Sequence, residues 1–157
     1  MNNAKVLLIG IVSVAIGIFA LNQKKYEPVS FNGEVYTHVE TTIVNNVANH
    51  FFTPGGIDLP ASPKFLQITD YGHPDLTERH INVLRQQLSA TMSLKPIKSG
   101  SNRFFGMYRN RHPIYAIEKN NVFVIYSIEA GFEGDENSLR SRANKVIDVL
   151  EVISTNF

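Results

Sequence analysis

The sequence predicts an α+β protein, in which an N-terminal transmembrane or signal-anchor helix precedes an antiparallel β-sheet domain with two helices packed on it. Three observations predict this fold. An uncharged apolar run opens the chain, short alternating segments between turn residues fill most of the remaining sequence, and two later stretches carry apolar residues at helical spacing. We therefore divide the chain into an anchor or signal segment, 1–25, and one extracytoplasmic domain, 26–157.

The composition is that of one folded domain behind a short leader. The chain has 157 residues, of which 43% are hydrophobic and 18% are charged, and this balance excludes a disordered or fibrous protein. It contains no cysteine, which excludes a disulfide framework, a thiolate metal site and a cysteine nucleophile.

The first element is an apolar run of 16 residues, Val6 to Leu21, between Lys5 and Lys24. The large side chains that we expect to contact lipid are Val6, Leu7, Leu8, Ile9, Ile11, Val12, Val14, Ile16, Ile18, Phe19 and Leu21. At about 1.5 Å per residue the run spans about 24 Å, which bilayer thinning and lysine snorkelling can match to a membrane. We interpret it as an uncleaved anchor. A signal peptide cleaved after Ala20 and a buried core helix are the alternatives.

The charges that flank the apolar run discriminate little between the two orientations. Lys5 and the free amine precede the run, and Lys24 and Lys25 follow it. The short lead before Lys5 is typical of a signal anchor whose amino terminus stays in the cytoplasm. We therefore expect a single-pass protein of the bacterial cytoplasmic (inner) membrane with a periplasmic C-terminal domain.

Turn residues organise the first half of the domain into strands. Asn32-Gly33 predicts a tight hairpin, because a two-residue primed turn needs positive φ. Asn45-Asn46 predicts a second such turn, and Thr53-Pro54-Gly55-Gly56 breaks the chain before a loop over 57–63. The strands that these signals bound are 27–31, 34–44, 47–52 and 64–70.

The first domain helix is predicted to begin near Asp75. This residue can cap the helix, and Glu78 three positions later completes a capping box. An apolar stripe then runs to about Ser93 and consists of Leu76, Ile81, Leu84, Leu88 and Met92.

Three further strands and a closing helix are predicted in the second half. The strands lie near 103–109, 114–119 and 122–130, and the last is apolar at successive positions, which indicates a central strand covered on both faces. A tight connection at Lys119-Asn120-Asn121 precedes it. The closing helix spans about 136–155, with a stripe of Leu139, Ala143, Val146, Leu150 and Ile153. We expect both helices to lie mainly on one face of the sheet.

The order of the closing elements resembles that of a known family. A hairpin strand, an acidic loop and a final helix occupy about the last 40 residues, and this succession is similar to the end of PsbP/Mog1-like domains. The resemblance implies a PsbP/Mog1-like α/β/α sandwich as the alternative architecture.

Charge is strongly segregated along the domain. Eight basic residues and one acid lie between Arg79 and Lys119, whereas 26–78 carries seven acids and one basic residue. The basic block is a candidate surface for a membrane-protein partner or for anionic lipid phosphates. Its candidate binding residues are Lys95, Lys98, Arg103, Arg109 and Arg111. The alternative is that folding brings acidic side chains beside them.

The segment 103–111 raises one further hypothesis, because its aromatic residues flanked by arginine are typical of single-strand nucleic-acid binders. Its residue order does not match the aromatic motif of RNA-recognition domains, and half-buried strands show the same alternation. We therefore expect no nucleic-acid partner.

No motif for catalysis, metal or cofactor is present. His73, Asp75 and His80 form the densest group of metal-binding residue types, but no His-Glu-x-x-His pattern occurs. The chain also has no Gly-x-Ser-x-Gly elbow, phosphate-binding glycine loop or dinucleotide fingerprint. We expect no catalytic residue, no cofactor and no metal.

The sequence therefore predicts a membrane-anchored accessory or assembly subunit of a bacterial envelope complex, which acts by protein–protein interaction through its extracytoplasmic domain. The alternative is a soluble periplasmic ligand-binding protein or small hydrolase, released by signal cleavage. That alternative predicts a pocket around His50, Phe51 and Tyr71.

Overall fold

A computed structural model describes residues 26–31, 33–108, 112–128 and 135–154. The predicted anchor, with its eleven candidate lipid-contacting residues, lies outside the described residues. Within the described ranges, no helix is long and apolar enough to cross a membrane.

The described domain is α+β, as predicted, and its strands form one antiparallel sheet. The strands are β1 (Val29–Phe31), β2 (Glu34–Val44), β3 (Val47–Pro54), β4 (Lys64–Asp70), β5 (Lys95–Pro96), β6 (Arg103–Tyr108), β7 (His112–Lys119) and β8 (Val122–Ile128). Their spatial order is β1-β2-β3-β4-β8-β7-β6-β5. Helix α1 (Glu78–Thr91) follows β4, helix α2 (Glu136–Ser154) follows β8, and a 3-10 turn (Leu59–Ala61) lies between β3 and β4.

The two predicted Asn-Asn turns are confirmed, whereas Asn32 of the predicted Asn32-Gly33 turn lies outside the described residues. Asn45 and Asn46 have φ of 51° and 63° between β2 and β3, and Asn120 and Asn121 have φ of 53° and 63° between β7 and β8. Asparagine tolerates this left-handed conformation better than most residues with a side chain. Two-residue turns of this kind follow the twist of the strands that they join, so they fix the register of both hairpins.

The prediction that both helices lie mainly on one face is wrong. One face of the sheet, here called the α2 face, presents Val124 and Tyr126 to a core that includes α2. The other, the α1 face, presents Phe123 and Ile125 to a core that includes α1. Because side chains alternate along a strand, the apolar run from Val122 to Tyr126 in β8 can be buried throughout only if both faces are covered. The prediction that β8 is central is confirmed, since β4 and β7 flank it.

Helix α2 supplies much of the core on its face. Leu139, Ala143, Ile147 and Leu150 are buried against the sheet, and Val146 packs partly against them. Burial of each leucine or isoleucine stabilises the fold by about 1.5–3 kcal/mol. The predicted stripe is thus confirmed at Leu139, Ala143, Val146 and Leu150, whereas the buried Ile147 was not part of it. The side chain of Ile153 lies outside the described residues.

The predicted cap of α1 is wrong, although its apolar stripe is confirmed. The helix begins at Glu78, and the side chain of Thr77 accepts a hydrogen bond from the backbone N–H of His80 at 3.3 Å. Asp75 belongs instead to the turn before the helix, where its backbone N–H donates to the ring of His73.

Gly106 in β6 allows the end of α1 to approach the sheet closely. A Cβ at this position would lie 2.9 Å from the backbone oxygens of both Met92 and Ser93. We expect Gly106→Ala to lower the free energy of unfolding by about 1–3 kcal/mol, because the backbone must move to relieve the contact. Urea denaturation of the full chain measures this change, and an unchanged midpoint would contradict the close approach.

Candidate functional site

A hydrogen-bonded chain of four side chains crosses β2 and β3 on the α2 face, and we name it the His38–His50 chain. The Tyr26 hydroxyl lies 3.1 Å from Nε2 of His50. The other ring nitrogen of His50, Nδ1, lies 3.0 Å from the Thr41 hydroxyl, which is 2.8 Å from Nε2 of His38. The four side chains thus form one continuous path.

A β-bulge in β2 aligns these groups. His38 pairs with Phe52, but the register then shifts, so that Glu40 pairs with Phe51 and Thr41 with His50. Without the extra residue, side-chain alternation would place His38 and Thr41 on opposite faces. The bulge therefore brings both onto the α2 face.

The Thr41 hydroxyl can bridge the two histidines because it can donate one hydrogen bond and accept another. The Tyr26 hydroxyl can likewise donate to Nε2 of a neutral His50. Two neutral imidazoles, each with one ring proton, satisfy this set of contacts.

Burial keeps both histidines neutral. It lowers the pKa of His50 to about 4, and the neighbouring His38 ring lowers it as well, whereas the Asp70 carboxylate opposes the shift. Burial also lowers the pKa of His38, against the effect of the Glu40 carbonyl. The pKa of Tyr26 is raised by burial and by Asp70. The arrangement is therefore a neutral polar network that acid would charge.

Tyr26 fastens the start of the described chain to the sheet. Its ring centroid lies 4.4 Å from that of His50 and 5.2 Å from that of His38. The Phe52 ring also contacts it, edge-on, with centroids 6.2 Å apart. These contacts and the hydrogen bond to His50 hold residue 26 against β2 and β3.

Loss of the Tyr26 hydroxyl tests this network. We expect Tyr26→Phe to lower the free energy of unfolding by about 1–3 kcal/mol, because Nε2 of the buried His50 would lose its hydrogen-bond partner. Denaturant titration of the variant against wild type measures the loss. Equal stability of the two proteins would show that the hydroxyl contributes nothing.

The network does not resemble a metal centre. No group of three His, Asp or Glu side chains in the described ranges could hold a metal ion. The ring nitrogens of His38 and His50 that converge do so on Thr41, which already bridges them. The arrangement can position Tyr26 and β2, and it can take up protons when the pH falls.

The predicted basic surface is in part neutralised by helix α2. The ammonium of Lys95 lies 2.6 Å from a Glu136 carboxylate oxygen, and the Arg103 guanidinium pairs with Asp148. Lys98 is exposed, whereas Arg109 and Arg111 lie outside the described residues. Two of the five candidate binding residues, Lys95 and Arg103, thus have an acidic residue of α2 beside them.

Residues outside the predicted sets form another ion pair. Arg85 of α1 pairs with the Glu118 carboxylate on β7. Burial raises the pKa of Glu118 while Arg85 lowers it. The pair joins α1 to the sheet. Glu118 is the one acidic residue between Arg79 and Lys119, and this isolation in the sequence could have indicated that it pairs with a basic side chain.

The predicted pocket around His50, Phe51 and Tyr71 is not assembled. His50 belongs to the network on the α2 face, whereas its neighbour Phe51 points to the α1 face because side chains alternate along β3. Tyr71 packs into the core beside α1. The three residues therefore do not line one cavity.

No protein-family model, curated protein or solved structure matches the chain. The likeness to PsbP/Mog1-like domains stays a prediction from the order of elements. The layering of α1, the sheet and α2 is the helix–sheet–helix order that this alternative implies.

Proposed function

We propose that this protein is a membrane-anchored accessory subunit of a bacterial envelope complex and that its domain binds a membrane-protein partner close to the bilayer. The observation that carries the proposal is the fastening of Tyr26 to His38 and His50. It places the entry point of the chain on the sheet itself, directly after the predicted anchor.

The distance from anchor to sheet is short. Only residues 22–25 separate Leu21 from Tyr26, and a fully extended chain spans at most about 3.6 Å per residue, or about 18 Å for this step. A domain on so short a tether stays near the membrane surface. Because this tether is short, the domain can contact mainly proteins that are themselves embedded in the bilayer.

Lys24 and Lys25 fall within the same tether and would lie at the headgroups, where anionic lipid attracts them. Of the predicted basic surface, exposed Lys98 is a second point of contact with lipid phosphate or with the partner. Lys95 and Arg103 contribute less, because Glu136 and Asp148 partly cancel their charge.

Lengthening the tether tests the proposal. After gentle detergent extraction, we expect the full chain to co-purify with a membrane protein at a fixed stoichiometry. A variant with about twelve Gly and Ser residues inserted between Lys25 and Tyr26 should fold normally but recover less of that protein, because the local concentration of the domain falls. A chain that carries no membrane protein, or an insertion that changes nothing, would contradict the proposal.

A further inference from the structure

Residues 26–30, here called the strap, lead into the sheet and are held at two points. At one end Phe31 is 2% exposed, and its ring packs against Tyr126 and Tyr36 with centroids 4.7 and 5.8 Å away. At the other end Tyr26 contacts the His38–His50 chain. Most of the strap between these points is exposed, namely Glu27, Pro28 and Ser30. The strap thus has one end fixed in the core and one end fastened to the polar network.

Tyr26 is seated on two titratable rings. Its hydroxyl lies 3.1 Å from Nε2 of His50, and its ring centroid lies 4.4 Å from that of His50 and 5.2 Å from that of His38. The two imidazole centroids are themselves only 6.1 Å apart. A positive charge on either ring would lose hydration beneath Tyr26, and charges on both rings would repel each other.

Asp70 of β4 offsets such a charge only in part. It lies on the same face of the sheet as His50, because it follows by two positions Ile68, which pairs with His50. Its Oδ1 already accepts a hydrogen bond from the backbone N–H of Gly72 at 2.7 Å. Burial outweighs its attraction, since the pKa of His50 still falls to about 4.

The other charged and titratable groups around this face are neutral or paired. Glu34 of β2 pairs with Lys64 of β4. Tyr36 lies 3.3 Å from the Glu34 carboxylate and stays neutral, because burial raises its pKa. Glu40 follows the bulge and points to the α1 face. Two acids of helix α2 pair with basic residues of β5 and β6, namely Glu136 and Asp148.

We infer that the strap is an acid-sensitive latch, which protonation of the His38–His50 chain releases from the sheet while the rest of the domain stays folded. With the strap lifted, both imidazoles reach water and bind protons with an ordinary pKa of 6.5, whereas the closed form holds them neutral. Above pH 6.5 the two forms bind the same number of protons, and the strap stays closed. As the pH falls from 6.5 towards 4 the open form takes up the proton first, so its population rises.

Release would lengthen the tether to the proposed anchor. An extended chain reaches at most about 36 Å from Leu21 to Phe31, against about 18 Å from Leu21 to Tyr26. The domain could then move away from a partner in the bilayer when the pH falls. This consequence rests on the proposed function, whereas the latch itself rests only on the described domain.

Two backbone amides report the release in the wild-type chain. Phe31 and Glu34 close a two-residue turn, and such a closing pair is hydrogen-bonded, so by alternation Val29 and Tyr36 also exchange hydrogen bonds. We expect the protection of the Val29 and Tyr36 amides against deuterium exchange, corrected for the intrinsic effect of pH, to fall at least tenfold between pH 7 and pH 5. NMR of the full chain in mild detergent measures this change.

The buried β8 residue Val124 separates local release from unfolding of the whole domain. At each pH, the Val29 and Tyr36 amides should be at least tenfold less protected than the Val124 amide. Low urea should speed exchange at Val124 but not at Val29 or Tyr36, because release of the strap exposes little surface. Protection that does not fall in acid, or a urea dependence equal to that of Val124, would overturn the inference.

Removal of both imidazoles tests their part in the latch. In the full-length His38→Gln/His50→Gln chain, the protection of the Val29 and Tyr36 amides should change less than twofold between pH 7 and pH 5. His80→Gln, on the exposed side of α1, is the matched control for loss of an imidazole. A double variant that keeps the wild-type fall would overturn the latch. A strap that stays closed in acid leaves the anchored-subunit proposal standing, and a cleaved anchor leaves the latch standing.

Discussion

We expect Phe52→Ala to lower the free energy of unfolding by about 3–5 kcal/mol, the range for large-to-small changes of buried aromatic residues. The Phe52 side chain is 0% exposed and belongs to the core beneath α2. Its ring also contacts Tyr26 and His38 edge-on, with centroids 6.2 and 5.3 Å away. The substitution therefore opens a cavity. It also removes the ring against which Tyr26 and His38 of the His38–His50 chain pack.

Urea denaturation of the full chain in mild detergent measures this loss. Phe65→Ala is the matched control, because Phe65 is also an aromatic residue of the sheet but is only partly buried and contacts Phe51 on the α1 face. We expect the control to cost clearly less. If both variants lost a similar free energy of unfolding, the buried Phe52 ring would stabilise the core no more than the partly buried Phe65 ring does.

The second large effect is a loss of stability in acid. His50 is 5% exposed, and its pKa falls from 6.5 to about 4 in the folded state, chiefly through burial. Above pH 6.5 the ring is neutral in both states, and its full contribution is present. As the pH falls from 6.5 to 4 the unfolded chain takes up the proton first, which lowers the free energy of unfolding by about 3 kcal/mol.

Substitution of one histidine isolates this contribution. The fall in stability between pH 6.5 and pH 4 should be smaller by about 3 kcal/mol in His50→Gln than in wild type. His80→Gln, on the exposed side of α1, is the matched control for the substitution itself. An unchanged slope in His50→Gln would contradict the assignment of a buried, neutral His50.

Much of the fold could be predicted because local chemistry determines it. The Asn-Asn turns need positive φ, and they set the ends of the strands that they join directly. The apolar stripes of α1 and α2 follow from helical periodicity in the same way. The face on which each helix lies depends on how the chain crosses the sheet, and no local pattern in α1 or α2 specifies it.

The His38–His50 chain could not be predicted for a related reason. A β-bulge changes which residues share a face, and it is defined by pairing with β3 rather than by the residues of β2 alone. The pairing of Lys95 with Glu136 and of Arg103 with Asp148 likewise depends on where α2 lies. The sequence therefore allows both an exposed basic surface and a basic block neutralised by acidic side chains. Only the position of α2 decides between the two.

The most direct test of the anchored-subunit proposal is the intact mass of the native protein after membrane fractionation. We expect the full-length mass, retained in the membrane fraction through an alkaline wash, because we propose that Val6 to Leu21 is an uncleaved anchor. A mass that lacks the first 20 residues, found in the soluble fraction, would contradict it and would favour a released periplasmic protein.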